Sequence, residues 1–222
     1  MGGRGPDAPG RSRQARVAAA AVNARDASIR AMSTAPDRLK IHVDPLPYED
    51  RLEPRDPLQV ELAVIHCTEL PDLATARGYG ERVLYPDSGT GNCGHFYIDR
   101  DGSVHRWVAV DRMAHHVRGH NPRSVGIELV NTGRYPHWLD SRHQAMDEAY
   151  PEVQIDALVA LLRQLQADLP GLRRVAGHED LDTATVAATD DPARQVPRKR
   201  DPGPLFPWSK VLAAVDLQRI PL

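Results

Sequence analysis

Two cysteines, Cys67 and Cys93, are all that the chain carries in 222 residues. A disulfide framework is therefore excluded as the main stabiliser. One bridge stays open, but it needs an oxidising compartment, so two buried free thiols are the simpler expectation. Long apolar runs are also missing. The longest covers about six residues, 17–22, far short of the ~20 that a helix needs to span a bilayer. Neither sign of charge dominates: 28 Lys and Arg face 30 Asp and Glu, a formal net charge of −2. Nothing in that balance draws the whole chain to nucleic acid or to an anionic membrane. No internal repeat is visible.

Aromatic residues are absent before Tyr48. Residues 1–36 hold mostly Gly, Pro, Ser, Ala and Arg, with six arginines before Met32 against only Asp7 and Asp26. Such a segment has little to pack and reads as a flexible or loosely helical tail. A secretory signal is one alternative, although its apolar stretch is shorter than the usual 7–15 or so residues. Translation from Met32 is another. Residues 37–59, with Pro45, Pro47, Pro54 and Pro57, read as an extended lead-in. Residues 60–222 are then expected to form one compact domain, and that length supports a full core.

Within this domain, Leu62-Ala63-Val64-Ile65 reads as a buried central strand ending at His66. A helix is suggested between Leu73 and Leu84, weakened by Gly78 and Gly80. His95–Ile98 and Val104–Val108 flank Asp99-Arg100-Asp101-Gly102, a hairpin signal. Val125, Ile127 and Leu129 alternate with Gly126 and Glu128, so Glu128 faces away from that apolar row. Ile155, Leu158, Val159, Leu162, Leu165 and Leu169 follow helical spacing until Pro170-Gly171. Arg174–Gly177 looks like a short strand leading into His178, and Ser209–Val215 like a last helix. The order predicts an α/β domain, a mixed central sheet flanked by helices. Residues at strand ends then meet on one rim, where open α/β sheets bind ligands.

His66 and His178 both stand at strand ends, and each by itself reads equally as a satisfied core residue. Lys199-Arg200-Asp201-Pro202-Gly203-Pro204 sets a carboxylate in stiff backbone, with Lys199 and Asp201 on one face if the segment is extended. Two imidazoles and a carboxylate form one common shell of a catalytic zinc ion, with a fourth position left for water. Glu128, on the polar face of its strand, is a candidate base, and Lys199 a candidate oxyanion stabiliser. Neither His66 nor His178 belongs to a local His-x-x-x-His pair, so spacing permits this constellation without selecting it.

Five segments together resemble the zinc-dependent N-acetylmuramoyl-L-alanine amidase family, which is related to phage lysozyme-type amidases and peptidoglycan recognition proteins. They are Val64–Thr68, Gly94–Gly102, Val125–Asn131, Ala176–His178 and Lys199–Pro204. The resemblance implies one Zn2+ held by His66, His178 and Asp201, with Glu128 as general acid/base and Lys199 stabilising the transition state. It implies further that His116 and Asn131 contact substrate, and that His95 is structural. The implied substrate is peptidoglycan or a muropeptide, cut between the lactyl group of N-acetylmuramic acid and L-alanine.

Two forms of that substrate compete. The absence of a wall-binding repeat and of a convincing export signal leans toward soluble anhydromuropeptides, a cytoplasmic location and a monomer. The long interval Asp180–Pro197, which reads as a surface loop able to wall the groove, leans toward a wall-lytic enzyme. A non-catalytic peptidoglycan-binding module is the rival from another class.

Overall fold

The computed structural model describes residues 1–3 and 38–220. The tail expected over 1–36 lies, from residue 4 on, outside the described residues. The chain from Leu39 onward forms one compact unit. Among the described residues its strands are β1 (Ile41–Val43), β2 (Leu62–Cys67), β3 (Phe96–Ile98), β4 (Val104–Arg106), β5 (Ser124–Leu129), β6 (Arg174–Gly177), β7 (Thr185–Ala187), β8 (Gln195–Pro197) and β9 (Gln218–Arg219). Its helices are α1 (Leu73–Gly80), α2 (Glu152–Asp168), α3 (His178–Leu181) and α4 (Trp208–Ala214).

Seven strands make one mixed sheet in the order β1-β4-β3-β5-β2-β6-β9. Only β3 and β4 pair antiparallel within it; every other neighbouring pair is parallel. β2 lies between β5 and β6, and all six of its residues are buried. That is why it reads as an unbroken apolar run: a parallel strand covered on both faces has no polar side to display.

The alternation of side chains sorts the sheet into two surfaces. Ala63 and Ile65 of β2, Val125, Ile127 and Leu129 of β5, and Val175 of β6 share a core with Ile155, Leu158, Leu161, Leu162 and Leu165 of α2 and Val211 of α4. Leu62, Val64 and Ala176 pack on Val117 in a separate cluster. His66 and Glu128 continue the second set beyond its apolar part. The core-forming alternation thus delivers the chemistry-bearing residues to the other face.

The lead-in over 37–59 is more than an extended connector, and the packed unit starts at Leu39 rather than at residue 60. β1 pairs with β4, and Leu46, Tyr48 and Leu52 are buried with Trp107 and Tyr97 in a third cluster. Large apolar side chains set between prolines drive this docking, without the period of either helix or strand. α1 is shorter than the expected stretch: Asp72 caps it by accepting from the Thr75 N–H at 2.6 Å, and it ends at Gly80. Val83, Leu84 and Tyr85 are left exposed beyond it. Both cysteines are buried free thiols. Among the described residues no helix is long and apolar enough to cross a membrane.

Gln154 ties α2 to the sheet. It is fully buried, and its Nε2 donates to the carbonyl oxygens of Ile98 and Val130, each at 3.0 Å. Gln154→Leu fills the space but leaves the Val130 carbonyl unpaired, while the Ile98 carbonyl keeps the Val130 N–H at 2.9 Å. Urea unfolding should show a loss of about 2 kcal/mol, and an unchanged midpoint would mean that water replaces the amide.

Candidate metal centre and groove

β2, β5 and β6 run parallel, so their C-terminal ends open at one rim. The register sets His66 of β2 beside Glu128 of β5. β6 ends one residue before His178, which begins α3. Gly177 has no side chain to spare at this junction, because a Cβ there would lie 2.8 Å from Pro202 Cδ. Its bare backbone lets the Asp201-Pro202 turn close over His178.

Asp201 is the meeting point. Its Oδ2 lies 2.9 Å from His66 Nδ1 and 3.1 Å from His178 Nδ1. The ligand atoms of these three buried residues all fall within 4.8 Å of one another. Asp201 Oδ1 is buried and has no hydrogen-bond partner among the described residues. Burial pushes the His66 pKa down to about 4, against the pull of Asp201, so the ring is neutral near pH 7. Burial also works against ionisation of Asp201, yet the facing imidazole of His178 above all holds its carboxyl well below the usual range. Two imidazole nitrogens and an ionised carboxylate with an unused oxygen are a donor set that a divalent cation satisfies. The cluster can hold a metal ion.

Glu128 looks into the same groove as Lys199. Burial drives its carboxyl up to about 8, the charge of Asp201 adds to the rise, and Lys199 opposes it. Cys67, next to His66 in β2, has its thiol pushed well up by burial, which keeps it protonated and a poor ligand. The groove has a volume of about 770 Å³. Tyr79, Leu84, Tyr85 and Trp138 supply apolar surface, and Arg82, Arg118 and Arg198 supply charge.

Two expectations are corrected. Asn131 is buried and absent from the described groove lining. Its Oδ1 accepts from the Gly133 N–H at 2.9 Å and its Nδ2 donates to the Glu148 carbonyl at 3.1 Å. Both ends of the amide are thus engaged with the fold. The Asp180–Pro197 interval contributes no described residue to the groove. β7 and β8 pair there as an antiparallel hairpin, which is pinned by Thr189 N–H to the Leu139 carbonyl and by Asp190 to Ser141. His116 does reach the groove floor, where its ring meets His66. His95 is buried inside the fold, with its Nδ1 accepting from the Gly126 N–H at 3.0 Å.

Sequence reasoning missed Arg134. Its guanidinium is buried and bidentate on Glu69, at 2.6 and 2.9 Å. It also donates to the Pro197 carbonyl at 2.9 Å, bracing the chain just before Lys199. Glu69 itself takes a left-handed backbone, φ 50°. No periodic signal announces a pair 65 residues apart.

Residues 56–204 match the family model of N-acetylmuramoyl-L-alanine amidase. The 1,6-anhydro-N-acetylmuramyl-L-alanine amidase AmpD of Salmonella typhimurium strain LT2 is 30% identical over 132 residues, covering 55% of this chain and 57% of that protein. The chain thus spans little more than half the length of the curated relatives it matches. Among solved structures, the endolysin amidase LysCS of Clostridium intestinale superposes with a TM-score of 0.56 at 20% identity, over 82% of this chain and 98% of that one. The amidase AmiD of E. coli, solved with anhydro-N-acetylmuramic acid-L-Ala-D-gamma-Glu-L-Lys, superposes with a TM-score of 0.53 at 22% identity, over 70% of this chain and 57% of that one. At these identities the structural likeness is one of fold.

Two outcomes follow for the metal-free protein. An unfolded glutamate loses its proton near pH 4.3, whereas folded Glu128 holds its proton to about 8. Between these values the native state binds more protons, so this group makes stability fall as pH rises. Urea unfolding in chelator should show Glu128→Gln gaining on the wild type from pH 4.5 to 8, by about 1 kcal/mol or more. Parallel curves would refute the raised pKa. Arg134→Met should cost about 3 kcal/mol by leaving Glu69 buried and unpaired, and a melting temperature equal to wild type would dismiss the brace.

Proposed function

Because the chain belongs to the N-acetylmuramoyl-L-alanine amidase family, we propose that it hydrolyses the amide between the lactyl group of N-acetylmuramic acid and L-alanine, with one zinc ion held by His66, His178 and Asp201. The observation that carries this reading is the convergence of those three ligand atoms within 4.8 Å, with Glu128 in register beside His66 and Lys199 lining the same groove. Bound zinc supplies a Lewis acid that lowers the pKa of water and polarises the scissile carbonyl.

The remaining work falls to the chain. Glu128 takes a proton from the attacking water and passes it to the departing alanine amine. Its carboxyl, raised to about 8 in the metal-free protein, is suited to hold a proton near neutral pH. Lys199 brings a positive charge to the oxygen on which negative charge develops. The groove, several hundred cubic ångströms in volume, accepts a ligand of several sugar and amino-acid units. A non-catalytic binding module is disfavoured, since three ligand-type residues, a base and a cation stand together.

Within this activity we favour soluble anhydromuropeptides over intact wall. The named substrate of the curated relatives and the ligand solved with AmiD support that choice. A cytoplasmic monomer goes with it. A wall-lytic role is the second reading, supported by the likeness to an endolysin.

The deciding experiment is a digest of purified anhydromuropeptide and of whole sacculi, followed by mass spectrometry. Free peptide should appear, stop with a chelator and return with zinc, faster from anhydromuropeptide. Glu128→Gln should lower turnover by about 10²-fold or more while zinc stays bound. No release from either substrate by zinc-loaded protein would overturn the assignment.

A further inference from the structure

The ring of His116 sits between His66 and a buried serine. His116 Nδ1 lies 3.0 Å from His66 Nε2, and His116 Nε2 lies 3.1 Å from Ser124 Oγ. The protons can be placed by elimination. Ser124 has a single hydroxyl proton, and it donates to the His120 carbonyl oxygen at 2.9 Å. Its Oγ must therefore accept from His116 Nε2–H. A neutral imidazole that donates through Nε2 accepts through Nδ1, so His66 donates its own Nε2–H to His116. His66 is then bare at Nδ1, the nitrogen that faces Asp201 Oδ2 at 2.9 Å.

This outcome is costly for a metal-free pair. A lone pair of His66 points at a lone pair of Asp201, whereas Nδ1–H would give the pair an ordinary hydrogen bond. The fold nevertheless builds the chain of contacts with care. Ser124 is fully buried. Asn121 Oδ1 accepts from the backbone N–H groups of His116 and Val117, at 3.1 and 2.8 Å, and so fixes the turn that carries the ring. A Cβ at residue 126 would lie 2.6 Å from His116 Cγ, so glycine there makes room for the imidazole. His178 lacks an equivalent: its Nε2 faces Asp182 across 4.0 Å, too far for a hydrogen bond.

We propose that Ser124 and His116 are positioning residues that lock His66 as the Nε2–H tautomer, so that its Nδ1 lone pair is delivered to the metal. The proposal rests on the reading of His66 as a metal ligand. Removing the serine hydroxyl reverses the relay. His116 can then protonate at Nδ1 and donate to His66 Nε2, and His66 takes up Nδ1–H against Asp201. An arriving metal must displace that proton.

The test uses the full chain with ¹⁵N-labelled histidine. Long-range ¹H–¹⁵N spectra in chelator should show His66 and His116 both protonated at Nε2. In Ser124→Ala both should switch to Nδ1–H, and zinc affinity, measured by competition with a fluorescent chelator, should fall about tenfold or more. Ser124→Thr, which keeps the hydroxyl, should restore both readings. Wild-type spectra with Nδ1–H on His66 would overturn the relay without recourse to any variant. Zinc affinity in Ser124→Ala within about twofold of wild type would do the same. If His66→Ala and Asp201→Ala bind zinc as tightly as wild type, the ligand reading itself falls, and the relay falls with it.

Discussion

One carboxylate oxygen, Asp201 Oδ2, is shared by two imidazoles, one ending a strand and one opening a helix, and His66 lies 135 residues away in the chain. Holding them together is demanding, because burial penalises the charge while nothing among the described residues uses Oδ1. The surrounding architecture serves this meeting. The parallel pairing of β2 with β5 and β6 brings two histidine-bearing strand ends and Glu128 to one rim. Gly177 lets the Asp201 turn reach them, and Arg134 steadies the chain that leads there. Such concentrated electrostatic tension in a groove is a common mark of a site shaped for chemistry rather than for stability.

The parts of this design that were legible in the sequence are those where the sheet imposes a period. β2 announces itself as Leu62–Ile65 because both its faces are covered, and β5 shows Glu128 among alternating apolar residues because only one of its faces joins the helix-covered core. α2 was plain from its leucine spacing. The candidate ligands needed more than spacing: His66 and His178 are separated by 112 positions in the chain, and only the order of five short motifs pointed to their company.

What escaped sequence reasoning lacks a period. Leu46, Tyr48 and Leu52 are separated by one proline and charged residues, so their docking reads as linker until the third cluster is seen. The hairpin of β7 and β8 has short strands of mixed exposure, and its shape comes from tertiary anchors at Leu139 and Ser141. Asn131 occupies a motif position but spends its amide on the fold. Ser124 gave no signal at all, since a serine opening a strand is ordinary until its neighbours are known.

Cys67 adjoins His66 in the chain, yet its thiol is turned into the protein, donating to the Asn131 carbonyl at 3.4 Å. The cluster that converges on Asp201 is made of nitrogen and oxygen donors alone. Peroxide attacks thiolate first, and here the Cys67 thiol is buried and kept protonated. A cluster assembled this way offers peroxide no thiolate among its ligand-type atoms.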